Sequence, residues 1–454
     1  MDLRALKETS LDILFSSAQD ATGCMETIEV LFQNGHSNDA KPYLVAINPK
    51  SGSGDALNRF NFKIAPIWKQ MNVSYELFCT EYSGHAENFI TNLPKANLLR
   101  YRAIVVCSGD GLVYEAVNGL ISRKDYDEII KEGITPIGVI PGGSGNATAA
   151  SICYCSGLLG KSSLLSHCAF LLTLPTENIQ QHQSKQVIGQ SQYCNFSLPV
   201  LPCISPLTGI HFGTGDVKFH RYGIQSIEWG FFADLDYKSE RFRWMGENRF
   251  LFYGCYYLMK KPTYRAKLSY LPFEDSLHQK NEFKNAEMVK KSSAPSVAND
   301  LTDKLNGSPD CTEKSCKSWS FLPETNQPIS NHQDKWVILD KEFLSILVLN
   351  HSHISSSFIV YPDAHFSDPY LTLLILHENT TRFDILALLR SMSNSQGLQP
   401  TSYMDIVKIC ALRIEPYSKD SVVTMLDGEL MPSGICQAEV VPGILNVVSG
   451  SNVV

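Results

Sequence analysis

Between Asn48 and Ala147 the chain carries three glycine-rich loops, Asn48-Pro-Lys-Ser-Gly-Ser-Gly54, Ser108-Gly-Asp-Gly111 and Gly142-Gly-Ser-Gly-Asn-Ala147, each directly after a short apolar run. The runs Tyr43–Ile47, Ala103–Cys107 and Ile137–Ile140 are rich in β-branched residues and bounded by turn residues, as expected of parallel strands covered on both faces. Ligands of such sheets bind beyond the carboxyl ends of the strands, where these loops fall. Glycine allows positive φ and lets backbone N–H groups approach an anion closely. A helix that starts after the loop adds its positive end. One glycine after a strand means only a turn. Three such loops in sequence, each after a strand, describe a phosphate cradle.

The common nucleotide templates do not fit. Gly52-Ser-Gly-Asp-Ala-Leu57 lacks the third glycine of the dinucleotide fingerprint, and Gly160-Lys-Ser162 has Cys155 where a Walker loop needs its first glycine. The central loop instead holds an acid, Asp110, between Gly109 and Gly111. A carboxylate among phosphate-binding glycines repels a nucleotide unless Mg²⁺ or a proton transfer gives it a role. The alternative is a solvated turn aspartate.

Composition sets limits on the rest. A chain of 454 residues, 44% of them hydrophobic, allows two or three domains with substantial cores. The start, Met1-Asp-Leu-Arg-Ala-Leu-Lys-Glu8, has early acids and no apolar core of a secretory signal. Apolar stretches such as Leu371–Leu376 are too short to span a bilayer. The thirteen cysteines are read as reduced thiols, and no spacing makes a zinc site. A net charge of −7 gives no general attraction to nucleic acid or anionic lipid, so any membrane attraction is local.

Residues 1–41 read as an amino-terminal extension and 42–174 as an alternating strand and helix domain. Residues 175–454 read as a second domain of short alternating runs, including Phe212–Phe219, Ala266–Leu271, Ser345–Leu349 and Ser356–Val360. That pattern predicts an antiparallel β-sandwich. Within it, residues 273–334 are polar and poor in periodic apolar residues, and read as a disordered insert.

Three segments carry a family resemblance: Asn48 to Gly54, Ser108-Gly-Asp-Gly-Leu-Val-Tyr-Glu-Ala-Val-Asn-Gly119, and Ile140-Pro-Gly-Gly-Ser-Gly-Asn-Ala147. They resemble the catalytic domain shared by diacylglycerol, ceramide and sphingosine kinases. Further on, Trp229-Gly-Phe-Phe-Ala-Asp-Leu-Asp236, Ser239-Glu-Arg-Phe-Arg243, Gly246-Glu-Asn-Arg249 and Leu426-Asp-Gly-Glu-Leu430 resemble sphingosine kinases in particular. The likeness covers about residues 42–174, 206–272 and 335–450. Ceramide kinases share the tryptophan-glycine-phenylalanine core but lack the aspartate that stands here as Asp236.

The resemblance implies an α/β nucleotide-binding domain with a parallel sheet and a mainly antiparallel β-sandwich lipid-binding domain. It implies an ATP- and Mg²⁺-dependent kinase that phosphorylates the primary hydroxyl of a sphingoid base, with Asp110 as general base. The implied nucleotide contacts are Asn48, Ser51, Gly52, Gly54, Thr80, Ser108, Gly109, Gly111, Gly142, Gly143, Ser144, Gly145, Asn146, Arg243, Arg249, Asp427, Gly428 and Glu429. No set of metal ligands is implied.

Guanidinium forks at Arg243 and Arg249 suit phosphate oxygens, although helical spacing also makes them surface partners of Glu240 and Glu247. Asp427 is either an acid that holds nucleotide or metal, or part of an Asp-Gly hairpin turn.

For the lipid, the resemblance implies Asp236, Ser226, Phe232 and Phe250. A sphingoid ammonium entering an apolar tunnel needs a carboxylate beside it, whereas ceramide and diacylglycerol carry no such cation. Asp234 is read two residues before Asp236 on one strand face. Phe252 to Tyr257, followed by Lys260 and Lys261, form an amphipathic stretch suited to a membrane surface. The implied partners are therefore a lipid substrate, a membrane visited transiently from the cytoplasm and a second copy of the chain, and no nucleic acid.

Two positions depart from the family pattern. Tyr82-Ser83-Gly84 stands where an arginine follows the threonine-glutamate, here Thr80-Glu81, and Ser395–Gln399 lacks a histidine expected near the lipid head.

Overall fold

The computed structural model describes residues 41–52, 54–131, 135–157, 164–173, 177–178, 200–214, 219–239, 241–242, 260–273, 321–323, 327–329, 335–394, 396–418 and 422–452. Arg243, Arg249, Phe250, the stretch from Phe252 to Tyr257, the amino-terminal extension up to residue 40 and most of the 273–334 insert lie outside them. The chain forms two compact units. The first comprises residues 1–207, 353–357 and 444–454, and the second 208–352 and 358–443.

In the first unit, β1 (Tyr43–Ile47), β3 (Ile104–Ser108) and β4 (Ile137–Pro141) are buried along their whole length. This is the signature of parallel strands with both faces covered. β2 (Tyr75–Cys79), partly exposed, is the edge strand beside β1. The order is β2-β1-β3-β4 with all pairs parallel. The far end of β17 (Cys436–Asn452) joins β4 in parallel through Val447 and Ile137.

Helices fill the crossovers: α1 (Ala56–Arg59), a π turn (Phe60–Ile64), α2 (Ala65–Gln70), α3 (His85–Asn92), α4 (Lys95–Leu98), α5 (Asp110–Ile121), α6 (Tyr126–Lys131), α7 (Ala147–Cys155) and α8 (Leu164–Thr173). On one face Tyr43, Phe60 and Trp68 are all buried, and Trp68 packs against the rings of the other two at centroid distances of 5.3 and 5.6 Å. The short strand β5 (Glu177–Asn178) pairs with the start of β6 (Val200–Thr214), and β11 (His353–Ser355) packs against α7.

The second unit is antiparallel, as the alternating runs predict. β7 (Phe219–Gly223) pairs with the end of β6. β8 (Ser226–Gly230), β9 (Tyr264–Pro272), β10 (Val337–Leu349), β13 (Leu371–His377), β14 (Met404–Pro416), β15 (Thr424–Leu426) and β16 (Glu429–Leu430) follow, with β12 (Phe358–Ile359) a short piece beside α10 (Arg382–Ser393).

The long strands β10 and β14 each pair with three others, β10 with β8, β9 and β13 and β14 with β9, β13 and β17. Residues 343–349 of β10 pair with β13 and 337–343 with β9, while 404–409 of β14 pair with β13 and 409–416 with β9. The circuit closes at two irregularities, Phe343/Ser345 and Ile409/Ala411. Bulges bend strands from one layer into another at such corners.

α9 (Phe231–Ser239) starts where β8 ends, after a turn at Gly230 with φ +80. Asp234 and Asp236 therefore stand on a helix and not on one strand face. Two residues along a helix point about 200° apart, and the two acids differ accordingly. Asp234 is buried, bonded to Tyr264 Oη at 2.6 Å and Lys238 Nζ at 2.8 Å, and Asp236 is half-buried. Among the described residues no helix is long and apolar enough to cross a membrane.

Candidate active site

The three glycine loops meet at the carboxyl ends of β1, β3 and β4. Gly142 N donates to Ser108 O at 2.9 Å, and Gly109 N to Ser51 Oγ at 3.3 Å. A Cβ on Gly143 would lie 2.3 Å from Gly109 Cα. The glycines therefore serve packing of backbone on backbone. We expect Gly143→Ala to force the second and third loops apart, raising the nucleotide requirement by about tenfold or more and lowering the melting temperature. Gly54→Ala is the control: a Cβ there meets nothing within 4 Å, so only its φ of +79 costs stability, about 1–2 kcal/mol. Nucleotide titration and thermal melts of the two variants separate packing from backbone strain.

Local bonds shape each loop. Asn48 Oδ1 accepts from Lys50 N at 2.9 Å, and Thr80 N closes the end of β2 onto Ile47 O at 2.8 Å. Asn146, in the left-handed region at φ +53, uses both ends of its amide on Gly143: Oδ1 accepts from Gly143 N at 2.9 Å and Nδ2 donates to Gly143 O at 2.8 Å. Its side chain holds the third loop in shape. Where the family pattern has an arginine, Tyr82 stacks on His85 with centroids 4.4 Å apart.

Asp110 opens α5 and faces the start of α7. Its Oδ2 accepts from Ala147 N at 2.8 Å and its Oδ1 from Thr148 N at 3.0 Å. These are donors that a helix leaves without partners in its first turn, so the carboxylate occupies an anion position at a positive helix end. Burial pushes the Asp110 carboxyl above its ordinary value, opposed by the Thr148 and Ala147 amides. The balance leaves a carboxylate more basic than a solvated aspartate, fixed in direction by two bonds.

Two braces carry no sequence signal of their own. Glu115 on α5 accepts from Gly84 N at 2.8 Å and Ala86 N at 3.1 Å, tying α3 to α5. Residues 353–357 return to the first unit, where Ser356 N donates to Gly145 O at 2.7 Å and His353 N to Ser151 Oγ at 3.2 Å. Burial holds the His353 ring pKa down to about 4, so at neutral pH it is an uncharged packing element beside Tyr154.

In the second unit, Asp427 and Gly428 are the two central residues of the β15–β16 hairpin, both at positive φ (+52 and +80). That is the turn chemistry expected of Asp-Gly. The Asp427 side chain is buried and accepts three backbone bonds: Ile224 N at 2.7 Å, Gln225 N at 2.9 Å and Ser226 N at 3.0 Å. It collars the start of β8. Glu429 is exposed on β16.

Ser226 is fully buried, and its Oγ has no hydrogen-bond partner. A buried hydroxyl without a partner costs free energy unless a ligand satisfies it. A Cβ on Gly428 would sit 3.7 Å from Asp236 Oδ2, so the hairpin tip and Asp236 are neighbours. Phe232 is buried, its N bonded to Ser345 Oγ, which in turn donates to Trp229 O. Among the described residues no group of three or more His, Cys, Asp and Glu is placed to hold a metal ion.

The known diacylglycerol kinase catalytic domain matches residues 42–167, which include all three loops and Asp110. Sphingosine kinase 1 of Rattus norvegicus is 29% identical over 413 residues, 90% of this chain and 91% of that one. Sphingosine kinase 1 of Homo sapiens is 28% identical over 411 residues, 90% of each. A crystal structure of a Bacillus anthracis protein assigned as a diacylglycerol kinase superposes with a TM-score of 0.55 at 14% identity, covering 93% of this chain and 99% of that one. That likeness concerns the fold alone.

The glycine loops with their half-buried acid lie within the segment that matches the diacylglycerol kinase catalytic domain, and that match supports a lipid kinase, an ATP-dependent phosphotransferase. Over nine-tenths of its length the chain is similar to sphingosine kinases.

Proposed function

We propose that the enzyme transfers the γ-phosphate of ATP to the primary hydroxyl of sphingosine or a related sphingoid base, giving sphingosine 1-phosphate. The observation that carries this reading is the unsatisfied Ser226 hydroxyl at the head of β8, with the half-buried Asp236 carboxylate on the helix that follows β8. A hydroxyl partner and a carboxylate match the two polar groups of a sphingoid head. The ammonium is what a neutral lipid lacks, and it is worth burying only beside an anion.

In the proposed reaction the lipid oxygen bonds to the γ-phosphorus, the bond from that phosphorus to the β,γ-bridging oxygen breaks, ADP leaves, and the hydroxyl proton passes to Asp110. The loop amides and the start of α7 cradle phosphate oxygens. Mg²⁺ neutralises β- and γ-phosphate charge when bound. Asp110 is the carboxylate the glycine loops would offer to that ion. Arg243 and Arg249 are proposed as further phosphate partners, and Phe232 and Phe250 as walls for the lipid tail. The amino-terminal extension, a catalytic domain over 42–174 and a lipid-binding domain over 175–454 complete the proposed organisation.

The test is transfer from labelled Mg-ATP to sphingosine, ceramide and diacylglycerol in mixed micelles. Label in sphingosine alone is expected, and label in a neutral lipid would overturn the substrate while keeping the kinase. Asp236→Asn is expected to raise the sphingosine requirement about 10- to 100-fold, the range for removing one partner of a sheltered charge pair, with little change for ATP. Equal effects on both would make Asp236 a structural residue. Ser226→Ala removes a hydroxyl and leaves no unpaired protein group, so its cost is expected in kcat/KM for the lipid and not in stability.

A further inference from the structure

α10 is seated on the second unit by Ile385, Leu388 and Met392, all buried on one face. At 100° per residue the opposite face carries Phe383, Leu386, Ala387 and Arg390, with Arg382 on its flank. Phe383 is 84% exposed and Leu386 47%, and both arginines are exposed. The acid of this helix, Asp384, is turned back into the capping box, where its Oδ2 accepts from Thr381 N at 2.8 Å and Thr381 Oγ1 at 2.7 Å. The outward stripe is therefore apolar and cationic, with no carboxylate on it.

A single exposed apolar side chain is ordinary on a protein surface. An exposed phenylalanine and leucine three residues apart, between two guanidinium groups, form the pattern of a helix that lies in a membrane interface. The neighbouring corner extends it. Lys261 Nζ donates to Glu378 O at 2.9 Å, which places the Lys260-Lys261 pair beside the turn from β13 into α10. The carboxylates at this corner include Glu378, four residues before Arg382, Glu342, whose Oε2 accepts from Thr263 Oγ1 at 2.8 Å, and Asp405, which pairs with His377 Nε2 at 3.2 Å; Lys341 Nζ meets the other nitrogen of that ring.

We propose that the outward face of α10 docks the protein on an anionic bilayer, with Phe383 and Leu386 entering the acyl boundary and Arg382 and Arg390 meeting lipid phosphates. The inference rests on the lipid-kinase reading and adds the surface at which the enzyme meets its bilayer. Because the chain as a whole carries a net charge of −7, the attraction is short-ranged, salt-sensitive and reversible.

The experiment is flotation of the full-length protein with vesicles of phosphatidylcholine alone or mixed with phosphatidylserine, at low and high salt. Wild type is expected to float with the mixed vesicles and to be released by salt. Phe383→Ala with Leu386→Ala should weaken this partition by about tenfold or more, and Arg382→Gln with Arg390→Gln should remove the preference for the anionic lipid. Both double variants are expected to phosphorylate sphingosine in detergent micelles at the wild-type rate. Loss of micelle activity in the wild type itself would sink the proposed reaction and leave the docking surface standing. Unchanged flotation of the Phe383/Leu386 variant overturns the docking surface. So does a dimer-to-monomer shift of that variant in sedimentation with flotation intact, which would give the stripe to a second copy of the chain.

Discussion

Asp110→Asn is expected to reduce phosphoryl transfer by about 10³-fold or more, while the protein still folds and still binds nucleotide. The rate loss follows from removing the proposed general base, a role worth about 10²–10⁴-fold. The structure adds a second effect. The native carboxylate gives one oxygen each to Ala147 N and Thr148 N, whereas a carboxamide offers one oxygen and one NH₂. One α7 amide then faces a donor, at a cost of about 1–3 kcal/mol. A modest fall in melting temperature should therefore accompany the lost rate. Wild-type turnover in this variant would remove Asp110 as base, and a protein that fails to bind nucleotide would make its main role that of an α7 cap.

The same carboxylate predicts a pH dependence. Burial raises the Asp110 pKa above the ordinary aspartate value of 3.8, and a base works only when ionised. The acid limb of kcat/KM should consequently lie above that value, with the rate falling as pH falls through it. The stability sign is the reverse. A raised folded-state pKa means that the folded protein binds this proton more tightly than the unfolded chain. Asp110 therefore favours folding below the unfolded value, and that contribution is lost as pH rises through the folded pKa. An acid limb at or below the ordinary value would mean that the amide bonds outweigh burial.

Much of this site was legible in the sequence because the signals were local. β1, β3 and β4 are short apolar runs each followed by a glycine-bearing loop, and in the structure they lie within a residue or so of the predicted spans. The antiparallel character of the second unit followed from alternation. What was not legible depends on distant partners. Nothing near His353 or Ser356 indicates that they support α7 and Gly145, some 200 residues earlier, and nothing in the last residues shows that β17 ends against β4. The strand reading of Asp234 and Asp236 failed for a different reason. Phe231-Phe232-Ala233 is an apolar run too short to show a period, and the turn at Gly230 starts a helix there.

Asp427 left two readings open in the sequence, and its geometry makes them separable. As a collar, Asp427→Ala strands three buried amides, those of Ile224, Gln225 and Ser226, and also places alanine at φ +52. At about 1–2 kcal/mol for each unsatisfied donor, the expected loss is about 3–6 kcal/mol, enough to remove much of the stability of an ordinary domain. Asp427→Asn tolerates the left-handed turn and keeps an oxygen for Gln225 and Ser226, losing chiefly the bond from Ile224, so it should fall between wild type and Ala. Because the collar sets the position of Ser226, the Asn variant should raise the lipid requirement more than that for ATP. An acid whose work is to hold nucleotide or metal gives the opposite result: an ATP requirement raised by at least about tenfold with melting unchanged. Thermal melts of both variants, with KM for each substrate, decide between a turn that shapes the lipid head site and a ligand of the phosphates.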